Sequence, residues 1–373
     1  MPQLRNSLNN RRIAFFISPH GFGHAARAVA VMASLKKLSP DFHFIIFTRV
    51  PEWFFADSLS SEFTYRELQT DIGMVQSSPF QEDLDKTISR LNAFYPFVPD
   101  DILNLAEQVK SCSMIVCDIS PLGIEVAEKA KIPSVLVENF TWDWIYEGCL
   151  KRAPAFAPHI SYLKSLIQKV AYHIQAHPFC NENPSADMRV NPISRKPRQN
   201  GFKIRKQLGV DRDRPLVFIT TGGADYNELP WRSFLNYPEM TFLIPGPFKR
   251  VFYQANVIGL PVKSEFFHPD LITASDAVIG KVGYSTVAEV YHSGVPLGYI
   301  PHSSQRESEA LEKFIVENMP ATRIDEKAFQ NGHRLHELEN LLKLKRIRRN
   351  EKNGADQVAQ WILNRLDNPL VPV

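Results

Sequence analysis

Residues 12–27 read Arg-Ile-Ala-Phe-Phe-Ile-Ser-Pro-His-Gly-Phe-Gly-His-Ala-Ala-Arg. The apolar run stops at Ser18-Pro19, the chain passes Gly21 and Gly23, and from residue 25 to 37 strong helix formers follow at helical spacing. Strand, glycine loop and helix in that order predict the opening of a βαβ unit. Working outward, residues 42–47, 114–117 and 134–137 read as further strands, with a helix over 122–130 between the last two. Strands alternating with helices predict an α/β fold with a mainly parallel sheet covered on both faces.

The pattern recurs in the second half, where Leu216-Val217-Phe218-Ile219-Thr220 runs into Thr221-Gly222-Gly223. Strands near 241–244, 277–279 and 297–300 and helices near 285–293 and 306–318 follow. The expectation is two Rossmann-like domains facing one another across a cleft, over residues 12–195 and 196–354, with a helix and tail over 355–373. In that tail Val358, Trp361, Ile362 and Leu366 share one helical side. Residues 161–176 place Leu163, Leu166, Ile167, Val170 and Ile174 on one helical face. Prolines 178, 184, 192 and 197 and a basic cluster over 195–198 mark residues 178–201 as a connection between domains.

A length of 373 residues accommodates two such domains, and 44% hydrophobic with 22% charged residues excludes a disordered, collagen-like or coiled-coil chain. Lys and Arg total 43 against 40 Asp and Glu, so the charge of +3 supplies no uniform field for nucleic acid, and any anion site is local. Four cysteines without a Cys-x-x-Cys pair make neither a disulfide framework nor a zinc site, which fits a reducing cytoplasm. Without a signal-like start or 18 uninterrupted apolar residues, no export or membrane span is expected; peripheral membrane contact stays open. The 25 phenylalanines are expected to pack the cores of both domains.

Glycine allows backbone to approach a ligand closely, and a helix starting just afterwards aims free amides and its positive dipole end at an anion. Three loops have this form: 20–24, 221–223 and 280–286. The first also matches the dinucleotide pattern G-x-G-x-x-G/A, and Arg49 stands near where an acidic ribose ligand is usual, which keeps an NADP-dependent oxidoreductase open. In the third, Gly280 to Gly283 form a turn and Ser285-Thr286 open a helix that carries Glu289. Two readings compete there: a capping box of Thr286 with Glu289, or a diphosphate on the helix amides with Glu289 gripping ribose hydroxyls.

The segment Gly283-Tyr-Ser-Thr-Val-Ala-Glu289-Val-Tyr-His-Ser-Gly294-Val-Pro296 resembles the nucleotide-holding motif of the GT-B nucleotide-sugar glycosyltransferases, particularly the bacterial enzymes that add N-acetylglucosamine to the peptidoglycan lipid intermediate. Pro19-His-Gly-Phe-Gly-His24-Ala-Ala-Arg27 and Asn139-Phe-Thr-Trp-Asp-Trp-Ile-Tyr146 resemble the glycosyltransferase-like N-terminal region of plant arabinokinases; no kinase domain follows, so kinase activity is not carried over. The resemblance implies a hexosyltransferase-like enzyme with a UDP-sugar as donor substrate and no further cofactor. It implies diphosphate contacts from Thr221, Gly222, Gly223, Gly283, Ser285 and Thr286, ribose contacts from Glu289 and base contacts from the stretch Phe266-Phe267-His268-Pro269, while Lys281 beside the third loop either adds a positive charge near the phosphates or is a solvated lysine. Gln305 and Glu309 would meet the donor sugar, although Ser304 stands where relatives often carry an acid.

Transfer to a hydroxyl needs a base and a stabiliser for the departing diphosphate. His24 is the first candidate base, since imidazole titrates near neutrality, and Asp118, ending a strand, either orients it or acts itself. The plainer readings are a helix-capping His24 and an Asx turn at Asp118. Gly21, Phe22, Gly23, Trp142 and Asp143 are candidate acceptor contacts, the indoles of Trp142 and Trp144 stacking on a sugar face and Asp143 binding hydroxyls; two tryptophans flanking an acid also suit plain packing of a domain surface. The acceptor is left open between a lipid-linked and a small molecule. His20 and His24 lack a third ligand, so no metal site is expected. A nucleotide-sugar-binding module without transfer and an epimerase of the same fold remain alternatives.

Overall fold

Short apolar runs that are buried on both faces build two mainly parallel sheets, the exception being the stretch where Phe252, Tyr253 and Gln254 pair in reverse order with Gly259, Ile258 and Val257. The computed structural model describes residues 11–78, 81–220, 231–301, 306–331 and 337–368. The chain divides into unit 1, Met1–Ile193 with Lys352–Val373, and unit 2, Ser194–Glu351.

Unit 1 begins with β1 (Arg12–Ile17), α1 (Gly23–Leu38), β2 (His43–Thr48), α2 (Glu52–Ser58) and β3 (Thr64–Glu67). A small ribbon of β4 (Gln76–Ser78) and β5 (Gln81–Glu82) leads to α3 (Leu84–Phe94) and α4 (Pro99–Val109). Then come β6 (Met114–Asp118), α5 (Pro121–Ala130), β7 (Ser134–Glu138), α6 (Trp142–Glu147), α7 (Ala157–Ile167), β8 (Tyr172–Ala176) and β9 (Met188–Val190). The strand order is β3-β2-β1-β6-β7-β8-β9. The chain therefore moves outward from β1 in one direction and restarts at β6 in the other, leaving a switch point between the C-terminal ends of β1 and β6, where open α/β sheets bind ligands.

Unit 2 repeats the plan with α8 (Gly201–Leu208), β10 (Leu216–Thr220), β11 (Thr241–Gln254), β12 (Val257–Pro261), α9 (His268–Ala274), β13 (Ala277–Lys281), α10 (Tyr284–Ser293), β14 (Leu297–Ile300), α11 (Glu307–Asn318), β15 (Ala321–Arg323), α12 (Glu326–Gln330) and α13 (Glu337–Lys343). The order β12-β11-β10-β13-β14-β15 puts its switch point between β10 and β13. Gly280 lies at that seam: a Cβ there would stand 2.8 Å from the Thr220 carbonyl oxygen, so only glycine lets β13 close on β10.

Phenylalanine fills both cores, as expected. Phe16 stacks on Phe47 at 4.5 Å in unit 1, and Phe234 on Phe242 at 4.6 Å in unit 2. The helical face expected over 161–176 ends at Ile167, and residues 172–176 are instead β8, paired in parallel with β7. His173 and Gln175 on this strand are buried and hydrogen-bonded to Glu138 Oε1 at 2.7 and 2.8 Å. The connection read over 178–201 also contains β9, which pairs with β8.

The last helix, α14 (Gly354–Asp367), packs on α1 of unit 1. Asn353 caps it by accepting from the Ala355 amide at 2.8 Å, and Ser34 donates to Asp356 at 2.9 Å. Val358, Ala359 and Ile362 are buried against the alanine-rich face of α1, and the aliphatic pair contributes about 1.5–3 kcal/mol per side chain. Leu366 and Trp361 remain half-buried, with Trp361 edge-on to Tyr172.

Candidate functional site

In unit 1 the residues meet at the β1/β6 switch point. His24 and Arg27 lie one turn apart on the first turns of α1, and Asp118 is the last residue of β6. His24 Nδ1 is 3.1 Å from Asp118 Oδ1. Arg27 grips the same carboxylate with both arms of its fork, Nε to Oδ2 at 2.9 Å and Nη2 to Oδ1 at 2.7 Å, and its Nη1 donates to Asn139 Oδ1 at 2.5 Å. All four residues are buried. Burial works to raise the Asp118 pKa, but the Arg27 charge and the hydrogen bonds from His24 and Arg27 outweigh it and hold the carboxyl below its usual value. For His24 burial is the largest influence and lowers the pKa, against the opposing pull of Asp118.

The next residue, Ile119, takes φ 60°, a strained setting for a β-branched side chain that lets the Ser18 amide donate to the Asp118 carbonyl at 3.2 Å. Strain of this kind concentrates at sites where geometry matters more than stability.

Gly21 is exposed at φ 74°, the left-handed region that favours glycine, and lets the loop turn into α1. Phe22, half-buried, stacks on Phe54 at 5.1 Å, and Gly23 starts the helix, which has no side-chain N-cap. The capping reading of His24 therefore does not hold. Trp142 is buried, stacked on Tyr146 and edge-on to His20 and Phe140, so its ring has no open face for a sugar. Asp143 is buried in the first turn of α6, and burial raises its pKa.

Sequence reasoning passed over Asp71, which is wholly buried and accepts from Ser18 Oγ at 3.0 Å. Burial above all, with Asp118 adding to it, pushes its pKa to about 7. The Trp142 indole N–H leans towards Asp71 closely enough to hold that value down, without a hydrogen bond of ordinary geometry. Asp71 sits in the segment after β3, and nothing in its local sequence marks it.

In unit 2, α10 begins after Gly283 with no side-chain cap, so its first-turn amides stay available to a ligand. A Cβ on Gly283 would meet nothing within 4 Å. Thr286 is buried and Ser285 half-buried. The capping box does not form, because Glu289 points elsewhere: Arg195 Nε donates to its Oε1 at 2.7 Å, and His268 Nδ1 lies 2.9 Å from its Oε2. Burial works to raise the Glu289 pKa, but Arg195 and His268 keep it below the usual value.

Phe267 is buried, and the Arg198 guanidinium lies 3.9 Å from its ring centroid. Asp270 fixes this arginine segment by accepting the amides of Arg198 and Gln199 at 2.6 and 3.1 Å. Arg195 and Arg198 thus join the candidate site although sequence reasoning passed over them; the basic cluster over 195–198 was the signal, and reading it as a linker concealed it, whereas His268 lies in the stretch 266–269 already expected there. Lys281, at the end of β13, has its pKa lowered to about 8 by burial, against the pull of Glu307 and Glu326. Glu309 is exposed in the first turn of α11, and Thr221, Gly222, Gly223 and Gln305 lie outside the described residues.

Among the described residues no group of three or more His, Cys, Asp or Glu side chains is placed to hold a metal ion, and no helix is long and apolar enough to cross a membrane. All four cysteines are free thiols.

No family model matches the chain. It is similar to an L-arabinokinase from Arabidopsis thaliana, 26% identical over 311 residues that cover 77% of this chain and 28% of that protein. The chain therefore spans little more than a quarter of the length of this curated relative. Among solved structures, the calicheamicin glycosyltransferase CalG4 superposes with a TM-score of 0.62 at 13% identity, covering 97% of this chain and 100% of that one. A UDP-glucosyltransferase from Polygonum tinctorium superposes with a TM-score of 0.59 at 12% identity, covering 96% and 98%. Identities this low speak for architecture alone: two Rossmann-like α/β units in one chain, the GT-B fold.

Proposed function

We propose that the protein is a glycosyltransferase that moves a sugar from a nucleotide diphosphate donor, a UDP-sugar, to a hydroxyl acceptor with inversion and without a metal. The observation that carries this reading is the His24–Asp118 contact of 3.1 Å at the switch point of unit 1. A carboxylate that accepts from Nδ1 leaves the lone pair on Nε2, the state a general base requires. Nε2 takes the acceptor proton while the acceptor oxygen attacks the anomeric carbon; the bond to the diphosphate oxygen breaks, and UDP leaves with that electron pair.

The departing charge is met in unit 2 by the first-turn amides of α10 around Ser285 and Thr286, by the loop residues Thr221, Gly222 and Gly223, and by Lys281. Glu289 receives the ribose hydroxyls, and Arg195 and His268 hold its carboxylate in place. Phe267 lines the base, Gln305 and Glu309 the donor sugar. On the acceptor side stand Gly21, Phe22, Gly23 and Asp143, with Trp142 as packing behind them rather than a stacking platform.

A thermal-shift screen against UDP and a set of UDP-sugars tests this. UDP is expected to raise the Tm, and stabilisation by no nucleoside diphosphate would sink the proposal.

A further inference from the structure

Two charges of opposite sign bear on the His24 ring. Asp118 approaches from β6, and Arg27 from the next turn of the same helix, with Nη2 3.4 Å from His24 Nδ1. The other walls carry no charge: Phe140 and Trp142, from the β7–α6 junction, stand 5.9 and 6.5 Å from the ring centroid. His20 stands edge-on to Trp142 with ring centroids 5.4 Å apart, and Asp71 is close enough to Trp142 and Asp118 to be influenced by both.

The two contacts at Nδ1 demand opposite states. Guanidinium only donates, so the Arg27 contact needs a lone pair on Nδ1, whereas the carboxylate contact needs a proton there. The carboxylate is closer and the bond charge-assisted, which places the proton on Nδ1 and the lone pair on Nε2. Among the described residues Nε2 has no protein partner.

In a two-membered His–Asp pair the carboxylate both orients the ring and favours a second proton on it. Here Asp118 gives both oxygens to a buried guanidinium, which offsets part of its pull on the imidazole and adds to the larger effect of burial. We propose that Arg27 is a positioning residue that keeps His24 a neutral imidazole: it leaves Asp118 able to orient the ring but not to hold a second proton on it. The proposal rests on reading His24 as the base, and it makes that base competent through the whole neutral range.

Histidine-labelled protein, with the His24 signal identified from His24→Gln, gives the titration by NMR without any assay of transfer. Arg27→Met and Arg27→Gln are expected to raise the His24 pKa by about one unit or more, since the carboxylate charge then falls on the imidazole. Arg27→Lys, which retains a cation, is expected to stay near the unsubstituted protein. Arg27→Gln keeps a hydrogen bond to Asp118 and serves if Arg27→Met does not fold. A His24 pKa in Arg27→Gln within about 0.3 units of the unsubstituted protein overturns the proposal. If the pKa rises but the pH profile of UDP release does not follow, the role of Arg27 stands and the reading of His24 as base falls.

Discussion

Arg195 Nε lies 2.7 Å from Glu289 Oε1, and both side chains are more than nine-tenths buried. Removing one member of such a pair leaves the other charge unpaired in the interior, at a cost of about 3–5 kcal/mol. Glu289→Ala is therefore expected to lower stability before any ligand is added, as seen in a denaturant titration. A loss below about 1 kcal/mol would mean that the pair is solvated and the buried arrangement wrong.

Ligand binding at Glu289 needs a gentler probe. Glu289→Gln retains the side-chain volume and a hydrogen bond from Arg195 but loses the charge. UDP is expected to raise the Tm of the unsubstituted protein and to raise that of Glu289→Gln far less, each shift being referred to the same protein without ligand. Equal shifts would remove Glu289 from the ribose site.

His24→Ala separates chemistry from binding. Release of UDP from a UDP-sugar in the presence of acceptor is expected to fall about 10²–10⁴-fold, while the Tm shift on adding UDP is unchanged, because His24 belongs to unit 1 and the proposed nucleotide contacts, Glu289 and the start of α10, to unit 2. Activity retained within about threefold would assign the proton to another group.

Asp71 predicts a pH dependence of stability. Its folded-state pKa, raised by burial to about 7, lies above the ordinary value of 3.8. The folded state therefore holds this proton more tightly than the unfolded one, and the contribution is full below pH 4 and lost as the pH rises through 7. The swing is on the order of 4 kcal/mol. Asp71→Asn, which keeps an acceptor for Ser18, is expected to flatten the Tm profile between pH 4 and 7 and to exceed the unsubstituted protein at pH 8. Parallel profiles would refute the shift.

Docking of α14 on α1 is tested by Ile362→Ala and Gly354→Ala. The first removes a fully buried side chain, for about 2–5 kcal/mol. The second would place a Cβ 2.0 Å from the Asn191 carbonyl oxygen, for about 1–3 kcal/mol. Unchanged denaturation midpoints would show that the helix adds nothing.

Much of this architecture was legible because its signals are local. The run from Arg12 to Arg27 contains its own strand, turn and helix, and the spacing from Gly283 to Pro296 spans one strand-edge turn, α10 and the following turn. What stayed hidden depends on contacts between distant residues. Asp71 owes its state to burial first and then to Ser18, Trp142 and Asp118, and on β8 the buried His173 and Gln175 find their partner in Glu138 of the neighbouring strand. The arginines at 195 and 198 read as a solvated linker until Glu289 and Phe267 are placed beside them. Arg27 sits at an ordinary helix position; only the fold reveals that its partners are residues 118 and 139.

The return of α14 to the first unit also sets an order of assembly. Unit 2 is a continuous insertion, residues 194–351, and has all of its residues once position 351 has left the ribosome. Unit 1 is synthesised first yet waits for its last helix, so the alanine-rich face of α1 stays uncovered for most of translation. A nascent chain arrested after Glu351 but before Gly354 would carry every residue of unit 2 and a first unit still lacking its last helix, with the flank of α1 uncovered.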